Sequence, residues 1–130
     1  MFQIDAMSRV PVYEQIVKQT EEFILAGIFK GGDWMPSVRS LSVQLSVNPN
    51  TIQKAYNELD NRGIIQSVPG KGCAVCTDAK EILCRKKAED LMNLSALLSE
   101  FVLAGIAKER VLEMVESIYA SSEKGKDDEK

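Results

Sequence analysis

The chain has 130 residues, 45% of them hydrophobic, with 16 basic and 19 acidic side chains and a formal net charge of −3. This length suits one domain, or one small domain with an appendage, and the apolar content is ordinary for a globular protein with a modest core. Histidine is absent and cysteine occurs three times, which excludes imidazole catalysis and imidazole metal ligation and argues against a closed disulfide framework.

Residues 1–10 are short and mixed, with one edge strand expected at residues 2–4. They carry no basic-then-apolar leader, and no later run approaches the roughly 20 apolar residues of a membrane span, so a cytoplasmic protein without a membrane partner is expected. Residues 11–26 read as a helix opened by Pro11, with Ile16, Phe23 and Ile24 inward, Thr20 between them and Gly27 as the exit. Residues 28–35 form a loop around Gly31 and Gly32, whose Ile28, Phe29 and Trp34 are expected to pack as a lid on the helices. Trp34, beside Met35, is assigned to the core rather than to ligand stacking.

The organising stretch is residues 36–72. A helix starting at Pro36-Ser37 buries Val38, Leu41 and Leu45; only Ser46, Val47 and Asn48 separate it from the next. In that second helix Ile52, Ala55, Tyr56 and Leu59 stand at i, i+3, i+4 and i+7, which makes one buried stripe and puts Tyr56 in the core. Asn48 suits the N-cap, Pro49 the first helical position and Gly63 a left-handed exit. The opposite face carries Asn50, Thr51, Gln53, Lys54 and Asn57, with no acid among them. Two helices joined by a three-residue turn make a helix-turn-helix, whose second helix can enter a DNA major groove. Residues 64–68 and 73–76 then read as strands around a Pro69-Gly70-Lys71-Gly72 turn. The fold class expected is mainly α with a small β-hairpin: a winged helix-turn-helix over residues 1–76.

Charge is distributed unevenly. Residues 1–76 hold 7 basic and 7 acidic side chains, residues 77–130 hold 9 and 12, and within 35–72 Arg39, Lys54, Arg62 and Lys71 outweigh Glu58 and Asp60. An acidic chain with a locally basic face is compatible with DNA binding.

From residue 79 to 104 a long helix repeats Leu91, Leu94, Leu98, Phe101 and Val102 at three- and four-residue steps, and Gly105 breaks it. A second helix, residues 108–120, shows Val111, Met114, Val115 and Ile118 on one face. The first of these is apolar over too wide an arc for one small neighbour, so residues 77–120 are read as a two-helix dimerisation module, with Leu91, Leu94, Leu98, Phe101, Val102, Val115 and Ile118 at the interface. The alternative is that both helices pack back on the winged helix. Residues 121–130 are polar and charged and are expected to be disordered.

Cys73 and Cys76 are spaced as C-x-x-C, but on a strand they would point to opposite faces, and no histidine or second pair completes a metal site. No metal and no cofactor is expected. A phosphate-cradling loop, a nucleophile motif and a paired-carboxylate site are likewise missing, so nothing argues for an enzyme.

These residues resemble the GntR family of bacterial transcription regulators. The shared motifs are the P-x-Y-x-Q-I start at residues 11–16, the M-P-S-x-R-x-L segment at 35–41, the N-P-N-T-I-x-x-A-Y-x-x-L run at 48–59 and the G-x-G wing at 70–72. The likeness spans about residues 1–76, and the short two-helix end resembles the YtrA-type branch, which lacks a large effector domain. The resemblance implies a homodimer on a palindromic operator in double-stranded DNA, most readily as a repressor. It assigns Arg39 to DNA, Asn50, Thr51, Gln53 and Lys54 to the exposed start of the recognition helix, and Gly70 and Lys71 to a wing tip in the minor groove. Ser37, Asn48 and Gly72 complete the candidate DNA-binding set. Cys73 and Ala74 stand where the family has a threonine and an aromatic, and the recognition helix has fewer arginines than other branches, which leaves the preferred base sequence open.

Two other functions are compatible with these residues. A winged-helix adaptor would use the same face to dock a protein, and salt-dependent binding would discriminate against it. The detached DNA-binding part of a pyridoxal-dependent fusion is the other; the two-helix tail and charged terminus lead us to expect a complete chain instead. The operator, the regulated genes, the sign of regulation and any small-molecule effector are not legible in the sequence.

Overall fold

The computed structural model describes residues 1–128, with side chains through Glu123. Helix α1 (Val12–Leu25) starts at Pro11 and buries Ile16, Val17, Thr20 and Ile24 along one stripe. The buried Thr20 hydroxyl donates to the Ile16 carbonyl at 2.8 Å, so it leaves no unpaired polar group in the core. Helix α2 (Val38–Leu45) is capped by Ser37, whose hydroxyl accepts from the Ser40 amide at 3.0 Å. Helix α3 (Pro49–Asn61) is capped by Asn48 and buries the expected Ile52, Ala55, Tyr56 and Leu59.

The helices α2 and α3 end in the same way. After α3 the amides of Gly63 and Ile64 bond the carbonyls of Asp60 and Leu59, both at 3.0 Å, with Gly63 at φ 78°. After α2 the amides of Ser46 and Val47 reach Val43 and Ser42, but the left-handed position is held by Ser46 at φ 54°. The helix-turn-helix turn therefore carries a Cβ where glycine is the usual solution.

Strands β1 (Ile65–Val68) and β2 (Gly72–Val75) pair antiparallel in the register Ile65 with Val75 and Val68 with Gly72. A bridge from Trp34 to Ala74 adds a short third edge, tied by the Met35 amide to the Cys73 carbonyl and the Val75 amide to the Asp33 carbonyl, both 2.8 Å. Side chains alternate across a sheet, so with Met35 buried inward Trp34 falls on the outer face, where it is 55% exposed. The expectation of a core tryptophan is thereby corrected. Ile28 is also exposed, whereas Phe29 joins Phe2 and Phe23 in an aromatic cluster with ring centres 5.2–6.2 Å apart.

Residues 2–4 are not a strand. Phe2 anchors them in the core, and two glutamines of α1 stand in for a partner strand: Gln19 bonds both the amide and the carbonyl of Gln3, and Gln15 bonds those of Asp5.

Helix α4 spans Ala79–Leu103 and α5 spans Lys108–Asp128. The chain divides into two compact units, Met1–Lys87 and Ala88–Lys130. The first carries on past residue 76 because Ala79 and Leu83, one turn apart on α4, are buried in its core. In the second, none of the described side chains is buried. Leu91, Leu94, Val102, Val115 and Ile118 are exposed, while Leu98, Phe101 and Val111 line an apolar crevice of about 270 Å³ with Val102, Ile106, Lys108 and Leu112. The backbone of α5 continues beyond Ala120 into the stretch expected to be disordered, and residues 129–130 lie outside the described residues. No helix among the described residues is long and apolar enough to cross a membrane.

Candidate nucleic-acid interface

Three pieces of chain distant in sequence meet at one groove of about 430 Å³. The start of α2 contributes Pro36, Ser37 and Val38; α3 contributes Gln53 and Tyr56; the wing contributes residues 67–73. No carboxylate is among the groove's lining residues. Tyr56 fixes the geometry: its ring is buried and its hydroxyl donates to the Pro36 carbonyl at 2.6 Å, which ties the recognition helix to the entry of α2. Burial pushes its phenol well above the ordinary value near 10, so it stays a donor.

The wing tip is set by local chemistry. The Lys71 amide bonds the Val68 carbonyl at 2.9 Å, with Pro69 and Gly70 (φ 76°) in the middle of the turn. Proline before a positive-φ glycine is the composition of a type II turn, and it leaves the Lys71 side chain exposed at the end of the hairpin.

Of the residues proposed from sequence, Ser37, Gln53, Gly70, Lys71 and Gly72 line this groove together. Arg39, Asn48, Asn50, Thr51 and Lys54 do not. Arg39 is exposed on the first turn of α2 and makes no ion pair among the described residues. The side chains of Ser37 and Asn48 are engaged as caps, Asn48 accepting from the Asn50 amide at 2.8 Å. Thr51 is half-buried and Asn50 exposed. Lys54 turns toward α1, its ammonium 4.1 Å from the centre of the Tyr13 ring. Arg62, counted as local positive charge in the sequence, is consumed by Glu21 and Glu58, each at 2.9 Å.

Two residues outside the candidate set matter to the geometry. Asn57 accepts from the Gln53 amide at 2.8 Å; its i+4 spacing from Gln53 was the available signal. Tyr13 lies 41 residues before Lys54, a separation that no local pattern reveals. The three cysteines are free thiols; burial pushes those of Cys73 and Cys76 up, and Cys73 lines the groove beside Tyr56. Among the described residues no cluster of histidine, cysteine or carboxylate side chains could hold a metal ion.

Residues 12–75, the span of this interface, match the family model of bacterial regulatory proteins, gntR family. The chain is 40% identical over 127 residues to the HTH-type transcriptional repressor YtrA of Bacillus subtilis (strain 168), covering 97% of this chain and 98% of that protein. A GntR family transcriptional regulator from Listeria monocytogenes superimposes with a TM-score of 0.70 at 36% identity, over 88% of this chain and 98% of that one. AraR(DBD) in complex with operator ORX1 superimposes with a TM-score of 0.51 at 29% identity, over 58% of this chain and 93% of that one. With a family match across helix-turn-helix and wing, and a likeness to YtrA along nearly the whole length, the chain belongs to the GntR family of bacterial regulatory proteins, in its YtrA-type branch, and is a DNA-binding transcription regulator.

Proposed function

We propose that this regulator is a repressor that binds a palindromic operator as a homodimer, with α3 in the major groove and the wing in the minor groove. The observation that carries the reading is the single acid-free groove shared by Gln53, Ser37 and the wing tip. A phosphate backbone approaching that face meets donors and lysine charge and no carboxylate on the groove's lining. Gln53 and Asn50 suit bidentate pairing with adenine, Thr51 offers a methyl to thymine, and Arg39, exposed and in no ion pair among the described residues, takes a phosphate or a guanine edge. Ser37 and Asn48, already bound as caps, hold two helix N-termini toward the backbone. Gly70 and Gly72 allow close approach of the wing, and Lys71 supplies charge to the narrow groove.

One recognition helix and one wing contact few base pairs, and a two-fold dimer doubles them. The second unit supports that assembly: Leu91, Leu94, Val102, Val115 and Ile118 are exposed, Leu98 and Phe101 are half-buried, and none of its described side chains is buried. Exposed apolar side chains repeated along two helices suit an association site. Repression follows the named role of YtrA, by occupation of promoter DNA.

The test is selection of bound fragments from sheared genomic DNA by the purified protein, followed by titration of the enriched site at several salt concentrations. A palindrome bound with affinity that falls steeply with salt is expected. Absence of an enriched palindrome, or binding indifferent to salt, overturns the reading.

A further inference from the structure

We infer that Tyr13 is a positioning residue for operator binding: its ring holds the Lys54 ammonium at the flank of α3, where it engages a backbone phosphate and not a base edge. The inference rests on the operator-binding reading above.

Successive residues of an α-helix diverge by about 100°. Gln53 lines the groove shared with the wing, and Lys54, the next residue, lies outside it with its ammonium 4.1 Å from the centre of the Tyr13 ring. When a helix lies in a major groove, its central face meets the bases and its flanks meet the sugar-phosphate walls. Lys54 is therefore on a wall. An ammonium over an aromatic face is held by the ring quadrupole with an N–H directed at the ring, and its remaining donors stay available to an acceptor.

The ring is itself anchored. Tyr13 is half-buried on the first turn of α1, packs against the core, and its hydroxyl donates to Glu14 at 3.1 Å. The crevice beside it contains Glu14, Glu21 and Glu58. Arg62 occupies the last two, Lys18 and Lys87 line the same crevice, and Lys54, over the Tyr13 ring, adds to the positive charge that an incoming phosphate meets on this flank. A free lysine side chain is among the costliest to immobilise. One already parked on a ring at the wall of the groove loses less freedom when it meets its phosphate.

The experiment uses the full-length chain as wild type, Tyr13→Phe, Tyr13→Leu, Lys54→Ala and the Tyr13→Leu, Lys54→Ala double variant. Each is titrated against the selected operator and its single-base variants across a salt series. Proton NMR of the free proteins reads the Lys54 side-chain methylenes. Upfield ring-current shifts of those methylenes in wild type and Tyr13→Phe, lost in Tyr13→Leu, are expected. Lys54→Ala should weaken every operator variant by one common factor and lower the salt slope by about one. Tyr13→Leu should weaken binding about two- to five-fold with the base ranking unchanged, Tyr13→Phe should restore it, and the double variant should bind no worse than Lys54→Ala. A changed base ranking in Lys54→Ala overturns the phosphate assignment. A loss in Tyr13→Leu that persists in full on the Lys54→Ala background makes Tyr13 merely structural and also overturns it. Failure of the wild type to bind any duplex overturns the operator reading instead, and the ring-current shift separates that case, because it is measured without DNA.

Discussion

The amide nitrogen of Gln53 donates to the side-chain oxygen of Asn57 at 2.8 Å, one turn further along α3. One N–H of Gln53 is thereby spent, and the remaining N–H and the carbonyl oxygen are left as an adjacent donor and acceptor, the pair that adenine matches in the major groove. Gln53→Ala should cost about 1–3 kcal/mol of discrimination at one base pair per half-site. Asn57→Ala should relax the same base pair by part of that amount, and the double variant should show no further loss. Titration of single-base operator variants checks this; relaxation at a different base pair in Asn57→Ala would separate the two residues.

Arg39 is exposed and makes no ion pair among the described residues. Its removal therefore breaks no ion pair among the described residues. Arg39→Ala should weaken operator binding by about 1–3 kcal/mol while leaving the thermal unfolding midpoint in place. Equal affinity of the two proteins at physiological salt would remove Arg39 from the interface.

Ser46 holds a left-handed conformation at φ 54°, in the position where the exits of α1, α3 and α4 use Gly27, Gly63 and Gly105. A Cβ is disfavoured there, so Ser46→Gly should stabilise the protein by roughly 0.5–1 kcal/mol, the relief of strain being partly offset by the freer unfolded chain. The readout is the midpoint of urea unfolding at unchanged slope. A lowered midpoint would show that the serine side chain contributes something its φ does not reveal.

Tyr56→Phe should destabilise by about 1–2 kcal/mol, because it leaves the Pro36 carbonyl without its donor in a part-buried site. The same residue gives a pH dependence of defined sign. Burial raises the folded phenol above its ordinary value near 10, so the folded state holds the proton more tightly than the unfolded one. The associated stability is complete below pH 10 and declines as pH climbs above it. Unfolding measured from pH 8 upward should show a steeper alkaline decline in the wild type than in Tyr56→Phe; parallel declines would mean that Tyr56 ionises as readily folded as unfolded.

Leu98 and Phe101, half-buried on α4, line the apolar crevice of the second unit. Leu98→Glu with Phe101→Glu places unpaired charge on the proposed dimer face, which is costly at a buried interface. Light scattering should report a monomer, and affinity for the palindrome should fall to nearly that for a half-site. A double variant that remains a dimer on the full operator would move the interface elsewhere.

What the sequence made legible is what local chemistry controls. The α3 stripe of Ile52, Ala55, Tyr56 and Leu59 and the cap Asn48 depend on neighbours within four residues, and each appears where local pattern puts it. The candidate site was legible as a set of exposed residues on two helices and a turn. Its partition into Gln53 on the groove and Lys54 on the flank was not, because that partition is made by Tyr13 and the wing. Trp34 was misplaced for a similar reason. Its apolar neighbourhood in sequence suggested the core, but strand pairing with Ala74 decides which face it takes. Ala79 and Leu83 look like the opening of a separate helix until the core they fill is seen.

The glutamine clamp on the first residues bears on how the protein avoids unwanted company. Gln3 and Asp5 lie two apart, so in an extended stretch they present their amides and carbonyls along the same edge. That edge would serve any passing strand as a template for addition. Gln19 and Gln15 occupy it instead, with bonds of 2.9 Å from the Gln3 and Asp5 amides. A side-chain amide ends the ladder where a backbone would extend it, so these amides and carbonyls are already occupied and offer no template for strand addition.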